Sequence, residues 1–390
     1  MAHLTCKTAG ESHGPASIAL IEGLPSDLTL DTTFINNELA RRQGGYGRGG
    51  RQAIEEDVVS FLAGVRQGRT TGAPLLLQIT NNDSRLDDAS ATPPVHRPRP
   101  GHADLTGAIR WLNTDCRNTL ERASARETAA RTAAGAIGRL ILREFNIHAL
   151  GFVRGSMDSN VTIIPTKDTW EAIRDARDNS DVYCPDDATC ASIINEIKNA
   201  KSDKDTVGGV CEVHVFGCPI GIGSCGSWQE KLDARIAGAV MGIQAFKSVE
   251  IGLGVACGSM RGSEVHDPIE YSKENESNSH FGFNRPTNHA GGIEGGMTNG
   301  MPIVVRGTMK PIATLLQGMD SVDLQTGKPT RSDYERSDVC ALPAASVVME
   351  NVVGFEIASA FLDAFGGSTM QMVHASFDAY CKAAREMIAK

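Results

Sequence analysis

Four short polar segments of the chain carry side chains that could transfer protons or hold anions. They are GESHG at residues 10–14, RRQGGYGRGGR at 41–51, RPRPGHADLTG at 97–107 and ERSDVCALPAA at 335–345. Glycine beside a histidine lets the backbone turn tightly and lets a ligand approach, and histidine exchanges a proton near neutral pH. His13 and His102 are therefore candidate acid–base residues, although either could be structural, as most of the ten histidines must be.

The second segment predicts a site for a small anion. It holds four arginines in eleven residues and no acid, namely Arg41, Arg42, Arg48 and Arg51. Guanidinium groups hold carboxylates and phosphates through two-point contacts. A solvated loop is an alternative, and so is a single-strand nucleic-acid segment, because Tyr46 lies among the glycines. The net charge of −9 and the single copy of the segment disfavour nucleic acid.

Several common sites are not indicated. The glycine-rich segment His289–Gly300 lacks the complete G-x-G-x-x-G fingerprint, and the glycine-lysine-serine of a P-loop is missing. These glycines could instead admit a flat ring close to the backbone. The ten cysteines include no C-x-x-C pair, and His96 and His102 are six residues apart. We therefore predict reduced thiols, no disulfide framework and no metal site.

Composition indicates an ordinary globular protein, with 41% hydrophobic and 22% charged residues. No run approaches the ~18 apolar residues that a membrane span needs. The first residues, MAHLTCKTAG, contain neither a basic nor an apolar stretch of the kind found in a secretory signal. We expect a cytoplasmic protein that binds neither membrane nor nucleic acid.

The elements that must position these segments are helices mixed with antiparallel strands. Asp31 predicts the N-cap of a helix over residues 32–42, which Gly44 ends. Buried or alternating patterns predict strands at 73–81, 208–217 and 301–309. Further helices are predicted at 126–145, 168–178, 187–200, 231–246, 344–363 and 370–388. Because helices and strands do not alternate regularly, we predict one large α/β domain of the α+β type. The irregular segments 41–51 and 83–107 are expected to be mobile and to close over a ligand.

Taken together, these motifs resemble the chorismate synthase family. The matching segments, in the family's order, are GESHG, RRQGGYGRGGR, RPGHAD at 99–104, ERASARET at 121–128, VEIG at 249–252, NHAGGIEGG at 288–296, KPI at 310–312 and RSDVCALPAA at 336–345. The resemblance implies a lyase of the shikimate pathway that eliminates phosphate from 5-enolpyruvylshikimate 3-phosphate in a 1,4-anti sense to give chorismate. It also implies reduced FMN as cofactor, a cytoplasmic homotetramer, and a single domain over residues 1–390 built as a β-α-β sandwich.

The resemblance also implies residue roles. The catalytic residues would be Ser12, His13, His102, Ser124 and Asp338. The residues that bind the substrate anions would be Arg42, Arg48, Arg51, Arg99 and Arg126. The FMN contacts would be Arg122, Ala123, Ser124, Gln244, Ala245, Gly295, Lys310, Pro311, Ile312, Ala313, Thr314 and Arg336.

Within this set, His13 would lie near the leaving phosphate and His102 would keep the reduced flavin correctly protonated. Lys310 and Arg336 would hold the flavin phosphate. Asp338 would help flavin N5 act as a base, with a structural contact to Arg336 as the alternative. NADPH is a candidate reductant, although the missing dinucleotide fingerprint leans against it.

Overall fold

The computed structural model describes residues 3–49, 54–335 and 337–388. The predicted anion contacts Arg51 and Arg336 lie outside the described residues. The helices are α1 Thr32–Gln43, α2 Asp104–Arg110, α3 Arg117–Ala123, α4 Thr128–Arg143, α5 Trp170–Asp178, α6 Asp187–Ser202, α7 Leu232–Met241, α8 Gly262–Val265, α9 Leu342–Phe365 and α10 Met370–Ile388. The strands are β1 Thr5–Ala9, β2 Ala16–Glu22, β3 Val59–Ala63, β4 Val65–Arg66, β5 Arg69–Thr70, β6 Leu75–Thr80, β7 His148–Ser156, β8 Ser159–Asn160, β9 Gly209–Phe216, β10 Phe246–Ile251, β11 Glu270–Tyr271, β12 Phe283–Asn284, β13 Ile293–Glu294, β14 Met297–Thr298, β15 Ile303–Met309, β16 Asp320–Val322 and β17 Pro329–Arg331.

The longer strands form two antiparallel sheets. The first has the order β1-β2-β6-β3 and the second the order β10-β15-β9-β7-β8. Side chains alternate between the two faces of a strand, and in β2 the buried face consists of Ser17, Ala19 and Ile21. Each sheet therefore has an apolar face that must be covered.

Helices cover these faces. α4 packs against β2, β6 and β1 of the first sheet, α9 packs against β7, β9 and β15 of the second, and α4 and α9 pack on each other. Their close approach depends on Gly135, because a Cβ there would lie 2.3 Å from the carbonyl oxygen of Asn351. One hydrophobic core extends through both sheets and these helices.

The predicted mixture of helix and antiparallel sheet is confirmed. Asp31 caps α1 by accepting a hydrogen bond from the Phe34 amide at 3.0 Å. The strands predicted at 73–81, 208–217 and 301–309 are β6, β9 and β15. The helix predicted over 231–246 is too long, because α7 ends at Met241 and β10 starts at Phe246.

Among the described residues, α9 is the one helix that is long and apolar enough to span a membrane by length and mean hydropathy, although it contains no continuous apolar run of about 18 residues. Its 24 residues include an 18-residue window of mean hydropathy 1.4, and 89% of that window is buried inside the protein. Glu350 and Asn351 interrupt its apolar run in the sequence. Extensive burial of this kind is typical of a core helix, and here the helix supports the second sheet.

Candidate active site

A cavity of about 590 Å³ collects most of the predicted site residues, a volume typical of small-molecule sites. Its wall contains Ser12, His13, Arg42, Arg48, Arg99, His102, Ala123, Ser124, Arg126, Gln244, Ala245, Lys310, Ile312, Ala313, Thr314 and Asp338. The GESHG turn, the arginine loop (residues 41–49), the segment that follows α7 and the segment after β15 thus meet at one place.

The described part of this wall is strongly cationic. Seven of the lining residues are basic, namely Arg42, Arg48, Arg85, Arg99, Arg126, Lys247 and Lys310. Three are acidic, namely Glu55, Glu335 and Asp338. The surplus is therefore four positive charges before the histidines are considered. A concave surface of one sign concentrates ligands of the opposite sign, so the cavity favours an anion with several charges.

A second, larger cavity of about 890 Å³ has a different character. The basic residues Arg131 and Arg235 share its wall with four acids, which are Glu127, Glu230, Glu356 and Asp363. It contains none of the described residues that the sequence analysis assigned to the site. The smaller cavity is therefore the candidate active site.

His13 is held by a buried carboxylate. Its Nδ1 lies 2.9 Å from Oε1 of Glu121, and its backbone amide donates to Oε2 of Glu121 at 2.8 Å. Burial would raise the pKa of Glu121, but the hydrogen bonds from His13 and the nearby Arg117 hold it below its usual range. An ionised Glu121 makes Nδ1 the donor, so Nε2, which lies 3.8 Å from Oδ2 of Asp83, is the nitrogen on the ligand side.

The backbone around His13 is fixed by Asn81. The Asn81 side-chain amide donates to the Gly14 carbonyl at 2.7 Å, and its oxygen accepts from Nε of Arg126 at 2.7 Å. Beside it, the Ser124 hydroxyl donates to the Ser12 hydroxyl at 3.1 Å. One hydrogen-bonded unit therefore connects the GESHG turn to the start of α4.

His102 is held by Asp104, which is also the partner of Arg99. Its Nδ1 lies 2.5 Å from Oδ1 of Asp104, and Nε of Arg99 donates to Oδ2 of Asp104 at 2.8 Å. Burial acts to raise the pKa of Asp104, but the hydrogen bonds from His102 and Arg99 outweigh it and hold this pKa well below its usual range. Arg99 also donates to the Thr314 hydroxyl at 2.9 Å, so this unit connects the third polar segment to the segment after β15.

The predicted anion contacts Arg42 and Arg126 face the buried Asp57, and we name these three residues the cavity cluster. Nη1 of Arg126 lies 2.5 Å from Oδ1 of Asp57, whereas Nη1 of Arg42 is 3.7 Å from Oδ2. Among the described residues, neither Nε of Arg42 nor Oδ2 of Asp57 has a hydrogen-bond partner. Burial lowers the pKa of Arg42 to about 10, against the attraction of Asp57 and with the help of Arg126 and Arg48. Arg42 is therefore a buried cation that an anion would stabilise.

Arg41 turns away from the cavity into what we name the core cluster: Glu38, Arg41, Arg139, Arg177 and Glu350. Arg41 donates to Glu38 at 2.7 Å and to Glu350 at 3.0 Å. Glu350 also accepts from Arg139 at 2.8 Å and from Arg177 at 3.0 Å. These bonds join α1 to α4, α5 and α9, and so fix the end of α1 that carries Arg42.

Asp338 is tied to the arginine loop. Its Oδ2 lies 2.8 Å from Nη1 of Arg48, and its Oδ1 accepts from the Gly49 amide at 2.6 Å. A structural contact with Arg336 was the alternative role predicted for Asp338, and Arg336 lies outside the described residues. The contact that the structure does show is with Arg48, a predicted substrate contact.

The residues that line the cavity suit a flavin, because they provide a cation for its phosphate, apolar surface for its ring and an acceptor for a ring N–H. Lys310 donates to the Gly101 carbonyl at the wall and can reach a phosphate. Met309, Ile312 and Ala313 supply apolar surface for a ring. Gln244 donates to Glu127 at 3.0 Å, and its buried Oε1 has no partner among the described residues, so a ring N–H could satisfy it.

Three predicted FMN contacts do not line this cavity in the single chain. Arg122 donates to the Thr8 carbonyl at 3.2 Å, and Thr8 belongs to the larger cavity. Gly295 is in the β13–β14 turn, where Gly296 accepts from the Leu232 amide at the start of α7. The cavity meets α7 at its other end, at Met241, which is about 14 Å away by helical rise. Pro311 lies between two lining residues without lining the cavity itself.

The sequence analysis gave no role to Glu121, Asp104, Asn81 or Asp57. Glu121 and Asp104 stand inside quoted motifs, and the local pattern His-x-Asp at 102–104 was a usable signal for a carboxylate–histidine pair. Glu121 is 108 residues from His13, and Asp57 is 69 residues from Arg126. Only the folded chain brings those pairs together.

Comparison with known proteins gives a consistent result. The profile of the family described as chorismate synthase matches residues 4–362. The chorismate synthase of Desulforamulus reducens is 47% identical over 399 residues, covering 97% of this chain and 99% of that protein. The chorismate synthase of Desulforudis audaxviator is 49% identical over 374 residues, covering 93% of each. A crystal structure of a chorismate synthase superposes with a TM-score of 0.79 at 36% identity, covering 99% of both chains.

Proposed function

The chain belongs to the chorismate synthase family of carbon–oxygen lyases, and we propose that it eliminates phosphate from 5-enolpyruvylshikimate 3-phosphate in a 1,4-anti sense to give chorismate. The observation that carries this proposal is the shared cavity, where two carboxylate-bound histidines stand among a surplus of guanidinium and ammonium groups. The substrate has two carboxylates and a phosphate, so its charge complements that wall.

His13 is proposed as the proton donor to the departing phosphate. Glu121 occupies the Nδ1 side of the ring at 2.9 Å, so Nε2 is the nitrogen that can meet the ligand. Charge develops on the phosphate oxygens as the carbon–oxygen bond breaks, and a fixed donor stabilises it without reorganisation. Ser12 and Ser124 hold the turn that sets the position of this ring.

The arginines are proposed to bind the ground-state anions. Arg42 and Arg126 converge on one side, and Arg99 is fixed on another by Asp104 and Thr314. Arg42 has the strongest electrostatic reason to take a carboxylate, because its burial is not matched by a close carboxylate of the protein. Arg48 and Arg51 are proposed to complete this set.

Reduced FMN, when bound, would supply the electron density that this elimination needs and a base for the ring hydrogen. Lys310 is proposed to hold its phosphate, together with Arg336, and Gln244 to accept a ring N–H. His102 is proposed to hold a proton beside the ring, oriented by Asp104 at 2.5 Å. Asp338, which contacts Arg48 and Gly49 of the arginine loop, is proposed to help N5 of the flavin act as a base.

The decisive assay is anaerobic. The purified chain, FMN reduced with dithionite and the phosphorylated substrate should release chorismate and inorganic phosphate in equal amounts. Product formed without flavin would contradict the cofactor assignment. No product, together with salt-dependent retention of single-stranded RNA, would favour a noncatalytic anion-binding protein instead. Repeating the assay with NADPH as sole reductant decides whether the chain reduces its own flavin.

His13→Ala tests the assigned proton donor. We expect kcat to fall by about 10³ with FMN binding retained, since general acid catalysis contributes about 10²–10⁴. His96→Ala is the matched control, because His96 bonds to the Thr114 carbonyl and does not line the cavity. Full turnover in His13→Ala would remove the residue from this role.

The remaining family properties are part of the same proposal. We propose that the stacking of α4 and α9 between the two sheets is the β-α-β sandwich of a single domain spanning residues 1–390. The protein would act in the shikimate pathway, in the cytoplasm and as a homotetramer. A tetramer could complete the flavin contacts of Gly295 and Arg122, which the single chain leaves away from the cavity.

A further inference from the structure

Two cysteines lie together at the start of α6, Cys184 in the turn before the helix and Cys190 in its first turn. Sγ of Cys190 is 3.0 Å from the carbonyl oxygen of Cys184 and 3.1 Å from the Ser180 hydroxyl. The same hydroxyl accepts from the Cys184 amide at 3.2 Å. Both cysteines therefore contact the Ser180 hydroxyl, and both are free thiols.

The two thiols differ in reactivity. The Cys184 side chain and the Ser180 hydroxyl lower the pKa of Cys190, although burial opposes this. The pKa of Cys184 is raised by its interaction with Cys190 and by burial. By contrast, burial raises the pKa of Cys218 to about 12, which makes it inert near neutral pH. A partly exposed thiol with a low pKa beside a second thiol has the arrangement of a peroxide-reactive pair.

The turn that carries this pair also holds the arginine loop. The Asp181 carbonyl accepts from the Tyr46 amide at 2.7 Å, and the Tyr183 hydroxyl donates to the Arg41 carbonyl at 2.9 Å. The contact is close, because a Cβ on Gly44 would lie 2.3 Å from that hydroxyl. Cys184 is thus the sequence neighbour of Tyr183, which contacts the loop that carries Arg42 and Arg48.

We propose that Cys184 and Cys190 are a modification site, a dithiol that a hydroperoxide oxidises to a disulfide. The Cys190 thiolate attacks the peroxide oxygen, which gives a sulfenic acid and releases hydroxide. The Cys184 thiol then displaces that oxygen as water and forms the S–S bond, so that one hydrogen peroxide takes two hydrogen atoms from the pair and becomes two waters. The Cys184–Cys190 turn then gives up the contacts of the Cys190 sulfur with Ser180 and the Cys184 carbonyl.

The disulfide does not depend on the proposed function, whereas its effect on substrate binding does. Because Tyr183 and Asp181 shift with the turn, the arginine loop loses its support on that side. We expect KM for the phosphorylated substrate to rise about fivefold with kcat nearly unchanged, which is the signature of weakened ground-state binding.

The test exposes the fully reduced chain to stoichiometric hydrogen peroxide, alkylates the remaining thiols and maps the peptides by mass spectrometry. We expect a Cys184–Cys190 linked species that is two hydrogen atoms lighter and is reversed by phosphine. Cys184→Ser should stop the reaction at a sulfenic acid on Cys190 that dimedone traps, and Cys190→Ser should leave Cys184 unoxidised. Cys225→Ser, which removes an exposed thiol elsewhere, is the matched control and should still form the disulfide.

Three results would overturn the proposal: both thiols still alkylated after peroxide, a disulfide in which either cysteine pairs elsewhere, or no dimedone adduct in Cys184→Ser. The KM of the oxidised chain distinguishes the formation of the disulfide from its effect on substrate binding. A disulfide that forms with no change in KM would leave the modification site standing and remove its connection to the arginine loop.

Discussion

Arg41 and Arg42 are consecutive residues in two clusters with opposite electrostatics. In the core cluster, Arg41 lies between Glu38 and Glu350, and these carboxylates outweigh burial and raise its pKa. In the cavity cluster, Arg42 has Asp57 only at 3.7 Å, and burial lowers its pKa to about 10. The protein thus places two close carboxylates beside one guanidinium and leaves its neighbour short of negative charge.

Because of this difference, the core cluster should affect the stability of the fold and the cavity cluster should affect the binding of an anion. Removing one partner of a buried ion pair destabilises the folded state, because the other charge is left uncompensated. A buried cation without them costs free energy in the empty protein and recovers it when an anion arrives. The core cluster should therefore be sensitive to substitution in unfolding experiments, and the cavity cluster in binding experiments.

The largest expected effect is on the core cluster. Glu350→Gln should lower the free energy of unfolding by about 3–5 kcal/mol, the usual range for breaking a buried ion pair. Glu350 accepts from three guanidinium groups, those of Arg41, Arg139 and Arg177, and all three would lose their shared partner. Urea unfolding followed by circular dichroism measures the change.

Glu350→Asp is the companion variant if Glu350→Gln does not accumulate in folded form. It keeps the charge but shortens its reach, so an intermediate loss of stability is expected. A loss under about 1 kcal/mol in Glu350→Gln would show that this cluster does not stabilise the fold as a buried ion pair should.

The second expected effect is on the cavity cluster. Arg42→Gln should lower kcat/KM by about 100-fold, or about 2.7 kcal/mol of transition-state binding, while the free energy of unfolding changes by less than about 1 kcal/mol. Arg41→Gln is the matched control in the neighbouring position and should show a larger loss of stability. Equal losses of stability in the two variants would break the comparison.

The sequence located the loops but could not assign these two arginines. Successive residues on a helix point about 100° apart, so RR at the end of α1 must send its side chains in different directions. Which one meets the core depends on Glu350, which is 309 residues from Arg41. The periodicity of α1 predicted the helix, whereas the assignment needed the packing of α9.

Separation along the chain also explains why the carboxylate partner of one histidine could be predicted from the sequence and that of the other could not. His102 and Asp104 are two residues apart, so one quoted segment contained the whole pair. His13 and Glu121 are 108 residues apart and meet only because α3 packs beside the turn between β1 and β2. The local pair could be predicted from the sequence, and the distant pair could not.

The third expected effect is a pH dependence of the stability that the core cluster provides. The pKa of Glu38 is held well below its usual range, because Arg139 and Arg41 outweigh its burial. Its contribution to the free energy of unfolding is therefore fully present above the unfolded pKa of about 4.3 and is lost as pH falls through the lower folded pKa.

Glu38→Gln should be about 2 kcal/mol less stable than the original chain at pH 7, and this difference in stability should narrow below about pH 4. Urea unfolding at a series of pH values measures it, and a gap that is constant down to pH 3 would contradict the argument.

The smallest expected effect tests the charge deficit of the cavity cluster without catalysis. A ligand that binds only the folded state stabilises it by RT ln(1 + [L]/Kd), which is about 1.4 kcal/mol at ten times Kd. Inorganic phosphate should therefore raise Tm by about 1–3 °C, whereas chloride at equal ionic strength should not. Because the burial of Arg42 is not matched by a close carboxylate, Arg42→Gln should remove most of this shift, and Arg41→Gln, although less stable, should retain it. A phosphate shift of equal size in Arg42→Gln would mean that other cations of the wall hold the anion, and the charge deficit at Arg42 would then have no role in binding.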